Sequence, residues 1–386
     1  MTNYAPARIQ PRQPHLSAIK IIAAVIAVLF AVLLGLIVLL LIGAETGLVE
    51  LLIGMLCAII PVPLYVILLL WIDRYESEPL WMLVTTFFWG ALVAIFIALI
   101  FNTGVEIIAM IATRSEEVAS HVGAVISAPI VEESAKALIL VIFFFWKKDE
   151  FDGIVDGIVY AGMSGLGFAM TENILYYGRA IQKGPEMLTA VFILRGMAAP
   201  FSHPLFTSMT GIGLGWARQS RIGFVKYVMP ILGFMLAILM HATWNGSAAF
   251  GEGFGFFVMY FMVMGPAFVV ILMVIHFSLR REGRIVQEFL YPDYVTGFFD
   301  HREYERLCSI RGRMGMSWDA LWSLGFAGWR LRMRCNQMAS ELAFHRSRIA
   351  RGIGRDPEAA QAREASYRSS LEQLRLQIAQ RQQGAR

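Results

Sequence analysis

Charge is scarce in this chain. Asp, Glu, Lys and Arg make up 16% of its 386 residues against 57% hydrophobic, a balance that excludes an ordinary soluble globular protein, where about a quarter of residues are charged. Cysteine is scarcer still, three in all. Cys57 falls in an apolar run, while Cys308 and Cys335 fall in a polar C-terminal stretch, and no pair has CxxC spacing. Neither a disulfide framework nor a zinc knuckle is expected. The HExxH signature of helical zinc proteases is absent. No lysine occurs after Arg284, although arginine stays frequent.

What is abundant is long apolar sequence. Runs near 19–42, 48–72, 80–101, 125–146, 154–177, 190–216, 223–248 and 254–279 each approach the roughly 20 residues that cross about 30 Å of hydrocarbon. An all-α, polytopic transmembrane bundle of about eight spans is therefore expected. The first run follows Arg8, Arg12 and Lys20 as a signal peptide would, but its core is too long and lacks a cleavage site, so it reads as an uncleaved span. Lys and Arg in short loops stay in the cytoplasm. With the N-terminus inside, Arg74, Lys147, Lys148, Arg218, Arg221, Lys226, Arg280, Arg281 and Arg284 fall on the cytoplasmic side, leaving Arg114, Arg179 and Lys183 outside. Both termini are thus expected in the cytoplasm.

Eight of the ionisable or amide side chains inside the apolar runs stand out: Glu132, Glu133, Lys136, Glu172, Asn173, His203, His241 and Asn245. A charge at the bilayer centre costs about 2.5–3.5 kcal/mol even on the lenient insertion scale, so such groups face one another or a wet cavity and usually work. Glu132 and Lys136 are four residues apart, on one helical face, whereas Glu133 points about 100° away. One carboxylate can take a proton from water while the other anchors the lysine; the spacing leaves open which does which. In Gly165-Leu166-Gly167-Phe168-Ala169-Met170-Thr171-Glu172-Asn173, the glycines admit a neighbouring helix and Phe168 shares a face with Glu172. Prolines bracket His203 in Pro200-Phe201-Ser202-His203-Pro204, loosening the backbone ladder around a side chain suited to proton transfer. His241 and Asn245, again four apart, suit an oxyanion site. The bland alternative is a buried network that only fixes packing.

Taken together and in this order, the EExxK of Glu132, Glu133 and Lys136, the FxxxEN of Phe168, Glu172 and Asn173, the His203 element and the HxxxN of His241 and Asn245 resemble the PrsW family of intramembrane proteases. That family is related to the CAAX prenyl protease and bacteriocin-processing superfamily. The stretch Asp73-Arg74-Tyr75-Glu76-Ser77-Glu78-Pro79 also looks like the acidic loop before the family core, and the resemblance covers about residues 60–280. It implies hydrolysis of a peptide bond in a single-span membrane protein near the extracytoplasmic side, an anti-sigma factor being the family's example. In the wider superfamily a glutamate of the EE pair and a second-motif histidine activate water, and the last His and Asn hold the oxyanion. Here Glu172 stands where that histidine would be.

The expected roles follow: Glu132 as base, His203 as its partner, His241 and Asn245 at the oxyanion, Glu133, Glu172 and Asn173 as organisers beside Phe168, and Lys136 as counter-ion. Carboxylates and imidazoles can hold zinc, yet a metal-free glutamate mechanism without cofactor is the preferred reading. The expected partners are the substrate and the lipid bilayer, with no nucleic acid. By region, 1–18 is a cytoplasmic segment, 19–279 the membrane domain and 280–386 an Arg-rich cytoplasmic tail. In the tail, Trp318, Trp322 and Trp329 with Arg330, Arg332 and Arg334 suggest either a helix at the headgroup level or a packed helical cap. Residues 356–383 read as a further helix through Leu371, Leu374 and Ile378. Two rivals use the same features: a proton-coupled transporter or channel built on the Glu/His/Lys cluster, and a membrane-anchored scaffold acting through its tail. An internal repeat with interrupted helices would mark the transporter, and none is found.

Overall fold

A computed structural model describes residues 18–199, 201–250, 254–352 and 356–384. The N-terminal segment with Arg8 and Arg12, and Pro200 of the histidine element, lie outside the described residues. Every element among those described is helical.

In chain order these are α1 (Ala18–Thr46), α2 (Leu48–Ile59), α3 (Val62–Ile72), α4 (Leu80–Phe88), α5 (Ile95–Thr113), α6 (Glu116–Val122), α7 (Ala128–Trp146) and α8 (Ile154–Gln182). There follow α9 (Pro185–Val191), α10 (Ser202–Gln219), α11 (Gly223–Phe250), α12 (Phe254–Met259), α13 (Gly265–Val295), α14 (His301–Leu307), α15 (Ile310–Ala350) and α16 (Pro357–Gly384). Among the described residues, six segments are long and apolar enough to cross a membrane: Ala18–Thr46, Leu48–Ile72, Leu80–Thr113, Ile154–Gln182, Gly223–Phe250 and Gly255–Val295. The other two apolar runs, 125–146 and 190–216, form α7 and the broken pair α9–α10. These two fall short because they carry Glu132, Glu133 and Lys136, or Arg195 and His203, in place of apolar side chains.

The hub is α8. Its most apolar window is 89% buried, whereas α1 turns Ile22, Ile26, Phe30 and Leu33 outward, as a lipid-facing helix would. Small residues let α8 be surrounded at close range. A Cβ on Gly157 would lie 2.1 Å from the Gly211 carbonyl oxygen of α10, and one on Gly165 would lie 2.7 Å from the Pro204 nitrogen. These two approaches bring the start of α10, with His203, against the middle of α8.

Among the described residues, four widened π-helical turns interrupt the bundle, at Trp89–Ala94, Gly123–Ser127, Phe192–Ala198 and Tyr260–Met264. A π turn shifts the hydrogen-bond register and frees backbone carbonyls, which must find donors at membrane depth. Side chains supply them. Asn245 Nδ2 donates to Ala124 O at 2.8 Å, Tyr65 OH to Gly196 O at 2.5 Å, and Tyr260 OH to Ala198 O at 2.7 Å.

Beyond the spans the chain stays helical and folds back. Asp300 and Ser309 cap α14 and α15 by accepting from Glu303 N and Gly312 N, and Gly325, with φ 68°, breaks α15. Leu371 and Ile378 of α16 are buried in the core that α15 shares. Arg348 pairs with Glu76 of the acidic loop and Arg351 with Asp152 at 2.5 Å. The tail is therefore a packed helical cap on the membrane domain.

Candidate active site

Lys136 organises the cluster. Its side chain is wholly buried, a position costing several kcal/mol unless it is paired. Its Nζ lies 2.7 Å from Glu133 Oε1, 2.9 Å from His203 Nδ1 and 3.6 Å from Glu132 Oε2. The Phe168 ring centroid stands 4.1 Å away, adding a cation–π contact. α7 thus meets α8 through Phe168 and α10 through His203, around one ammonium.

The remaining contacts fix the imidazoles. An ammonium has only donors, so His203 Nδ1 accepts from Lys136, and Nε2–H donates to Glu172 Oε2 at 2.8 Å. Glu172 is held in turn by Arg195 Nη2 at 2.5 Å. His241 Nδ1 lies 3.0 Å from Glu133 Oε1, and a carboxylate accepts only, so Nδ1 carries the proton and the Nε2 lone pair faces elsewhere. That Nε2 stands 3.8 Å from Glu132 Oε2. The two rings meet edge to face at 5.0 Å, with His241 stacked on Phe206.

The two glutamates differ in how much of them is already used. Glu133 is fully buried, and both its oxygens are taken: Oε1 by Lys136 and His241, Oε2 by Thr207 Oγ1 at 2.8 Å. Glu132 has a long contact from Asn102 Nδ2 to Oε1, 3.5 Å, and its buried Oε2 has no hydrogen-bond partner. Of the two, Glu132 keeps an oxygen free of hydrogen bonds, with the 3.6 Å approach of Lys136 beside it.

Glu132, His203 and His241 therefore come together, with donor atoms all within 4.8 Å of one another. His203, expected as the partner of Glu132, instead gives its two nitrogens to Glu172 and Lys136. Asn245, expected beside His241 at an oxyanion, spends its amide on the π turn before α7. Asn173 accepts from Arg195 Nε at 2.7 Å. Three participants escaped the sequence reading. Asn102, which accepts from Ser127 Oγ at 2.9 Å, sits one residue past an expected span; Thr207 lies one turn after His203. Arg195 lies within the run 190–216, and a charge there was a signal that could have found it.

Residues 78–272 match a family described as PrsW family intramembrane metalloprotease, half of the chain and the whole of this cluster. The chain belongs to the PrsW family. Among curated relatives, the protease PrsW of Geobacillus kaustophilus is 30% identical over 191 residues, covering 50% of this chain and 77% of the relative. That of Oceanobacillus iheyensis is 29% identical over 207 residues, covering 54% and 86%, and that of Clostridioides difficile 33% over 193, covering 49% and 76%. No solved structure matches. The PrsW match makes this an integral membrane protein of a protease family, and it ends inside α13, before the helical cap.

Proposed function

We propose that the cluster hydrolyses a peptide bond by water activation on Glu132. One observation carries this reading: Glu132 Oε2, free of hydrogen bonds, faces His241 Nε2 at 3.8 Å, two acceptors that a single water can serve with its two hydrogens. Glu132 takes a proton as the water oxygen attacks the scissile carbonyl, and His241 Nε2 orients the second O–H. The carbonyl π electrons move to oxygen, and the developing charge is met by the Lys136 ammonium. Glu132 then returns its proton to the leaving amine as the C–N bond breaks. Glu133, Glu172 and His203 act through other residues: they hold Lys136 and His241 in place.

The family description names a metal, and the residues fit one. Carboxylate oxygen and imidazole nitrogen suit zinc, Glu132, His203 and His241 would hold it, and each histidine has its far nitrogen on a carboxylate, the outer support that zinc ligands need. Such an ion would supply a Lewis acid that acidifies water. Lys136 competes for the same place, because its ammonium already donates to His203 Nδ1. We take that ammonium as the resident cation.

The substrate we propose is a single-span membrane protein whose segment unwinds near the extracytoplasmic interface, an anti-sigma factor being one candidate, with both termini of the protease in the cytoplasm. Incubating purified protein with candidate single-span substrates tests this. Two fragments cut within or beside the span are expected, and intact substrate throughout a panel of such proteins would oppose it.

A further inference from the structure

Outside the family match, one groove has a lining that hydrolysis does not explain. It encloses about 420 Å³ where the end of α3 meets α15, and Trp71, Trp318 and Trp329 wall it together with Arg74, Arg313 and Arg334. No Asp or Glu lines it. Among the described residues none of the three guanidinium groups is ion-paired. Arg74 lies over the Trp71 ring at 3.4 Å; its Nε donates to Trp71 O and its Nη1 reaches Met314 Sδ, while its buried Nη2 has no partner. Arg313 gives its N–H groups to Ser340 and to Asn336 O, both neutral. Burial pushes both groups down to about 10, as expected for cations short of a counter-charge.

Position supplies the second half of the argument. Trp71 ends the apolar segment Leu48–Ile72, so the groove opens where the chain leaves the hydrocarbon. Tryptophan and arginine both favour that level, and a guanidinium fork matches phosphate oxygens. We infer that the groove binds the headgroup of an anionic phospholipid, with Arg74 and Arg334 on the phosphate, Arg313 as the buried charge behind them, and the acyl chains along Leu70 and Trp71. The bound lipid ties the cap to the membrane domain.

The test uses the full chain in nanodiscs of phosphatidylcholine or of phosphatidylcholine with phosphatidylglycerol. Quenching of tryptophan fluorescence by brominated lipid and lipid adducts in native mass spectra give the readouts. Brominated phosphatidylglycerol is expected to quench several-fold more than brominated phosphatidylcholine at equal fraction and to survive as the adduct; Arg74→Gln with Arg334→Gln should erase the difference. Arg334→Gln alone, at an exposed position, should weaken it without risk to folding. Equal retention of the two lipids, or a preference untouched by these variants, would overturn the proposal. So would competition by soluble glycerol phosphate at matched concentration, which would mark a site for a free anion.

Discussion

Glu132 Oε2 and His241 Nε2 face each other at 3.8 Å, while each neighbouring polar atom of Glu133 and His203 is already bonded. On the proposed mechanism that contrast divides the cluster into a reacting pair and its frame. It also makes the two histidines separable. His241→Asn removes the lone pair at Nε2 and should slow cleavage about 10²–10⁴-fold, the ordinary worth of positioned proton-transfer chemistry. His203→Gln retains a group able to bond Glu172 or Lys136 and should cost less, with a drop in thermal stability accompanying any loss. Rates from purified variants matched for folded fraction decide, and equal losses would remove the distinction.

Metal dependence has its own test. With Lys136 as the resident cation, protein dialysed exhaustively against chelator should keep its cleavage rate and hold no stoichiometric transition metal by elemental analysis. Loss of activity restored by zinc would make Glu132, His203 and His241 ligands, and Lys136 would then have to vacate His203 Nδ1.

Helix contact offers a structural check. Gly157→Ala places a methyl 2.1 Å from a backbone oxygen of Gly211, whereas a Cβ on Gly104 meets nothing within 4 Å. Gly157→Ala should therefore push α10 from α8, lowering the folded yield in detergent and the cleavage rate together. Gly104→Ala should leave both unchanged. Unaltered behaviour of Gly157→Ala would mean the helices do not cross there.

The last helix, α16, should be dispensable for chemistry. Removing residues 356–386 strips α16 from α15 and uncovers the surface that Leu371 and Ile378 cover. The membrane domain keeps its Arg348–Glu76 and Arg351–Asp152 pairs. Cleavage by the inserted, truncated protein should persist, with faster proteolysis of α15. Loss of cleavage would assign α16 a catalytic function.

Much of this was legible in the residues, and the limits have physical causes. The Glu132–Lys136 contact follows from helical spacing, as does the shared face of Phe168 and Glu172, and the glycines of α8 announce close approach. Spacing gives a face and not a partner, however. His241 and Asn245 do project from neighbouring positions, but the π turn at Gly123–Ser127 exposes Ala124 O and captures the amide. A π turn leaves no periodicity in sequence. Arg195 was hidden for a related reason: in a linear reading an arginine near a span end passes for one reaching to the surface, and only the turn at Phe192–Ala198 aims it at Glu172.

The most direct measurement is the cleavage rate of Glu132→Gln protein on a single-span substrate. Glutamine keeps the size and the Asn102 contact but cannot accept the proton, and Lys136 retains Glu133 at 2.7 Å, so the bundle should stay folded without a compensating change. Folded variant that binds substrate and cleaves at least about 10²-fold more slowly is the expected result. Cleavage near the original rate by that folded variant would show that Glu132 is not the base.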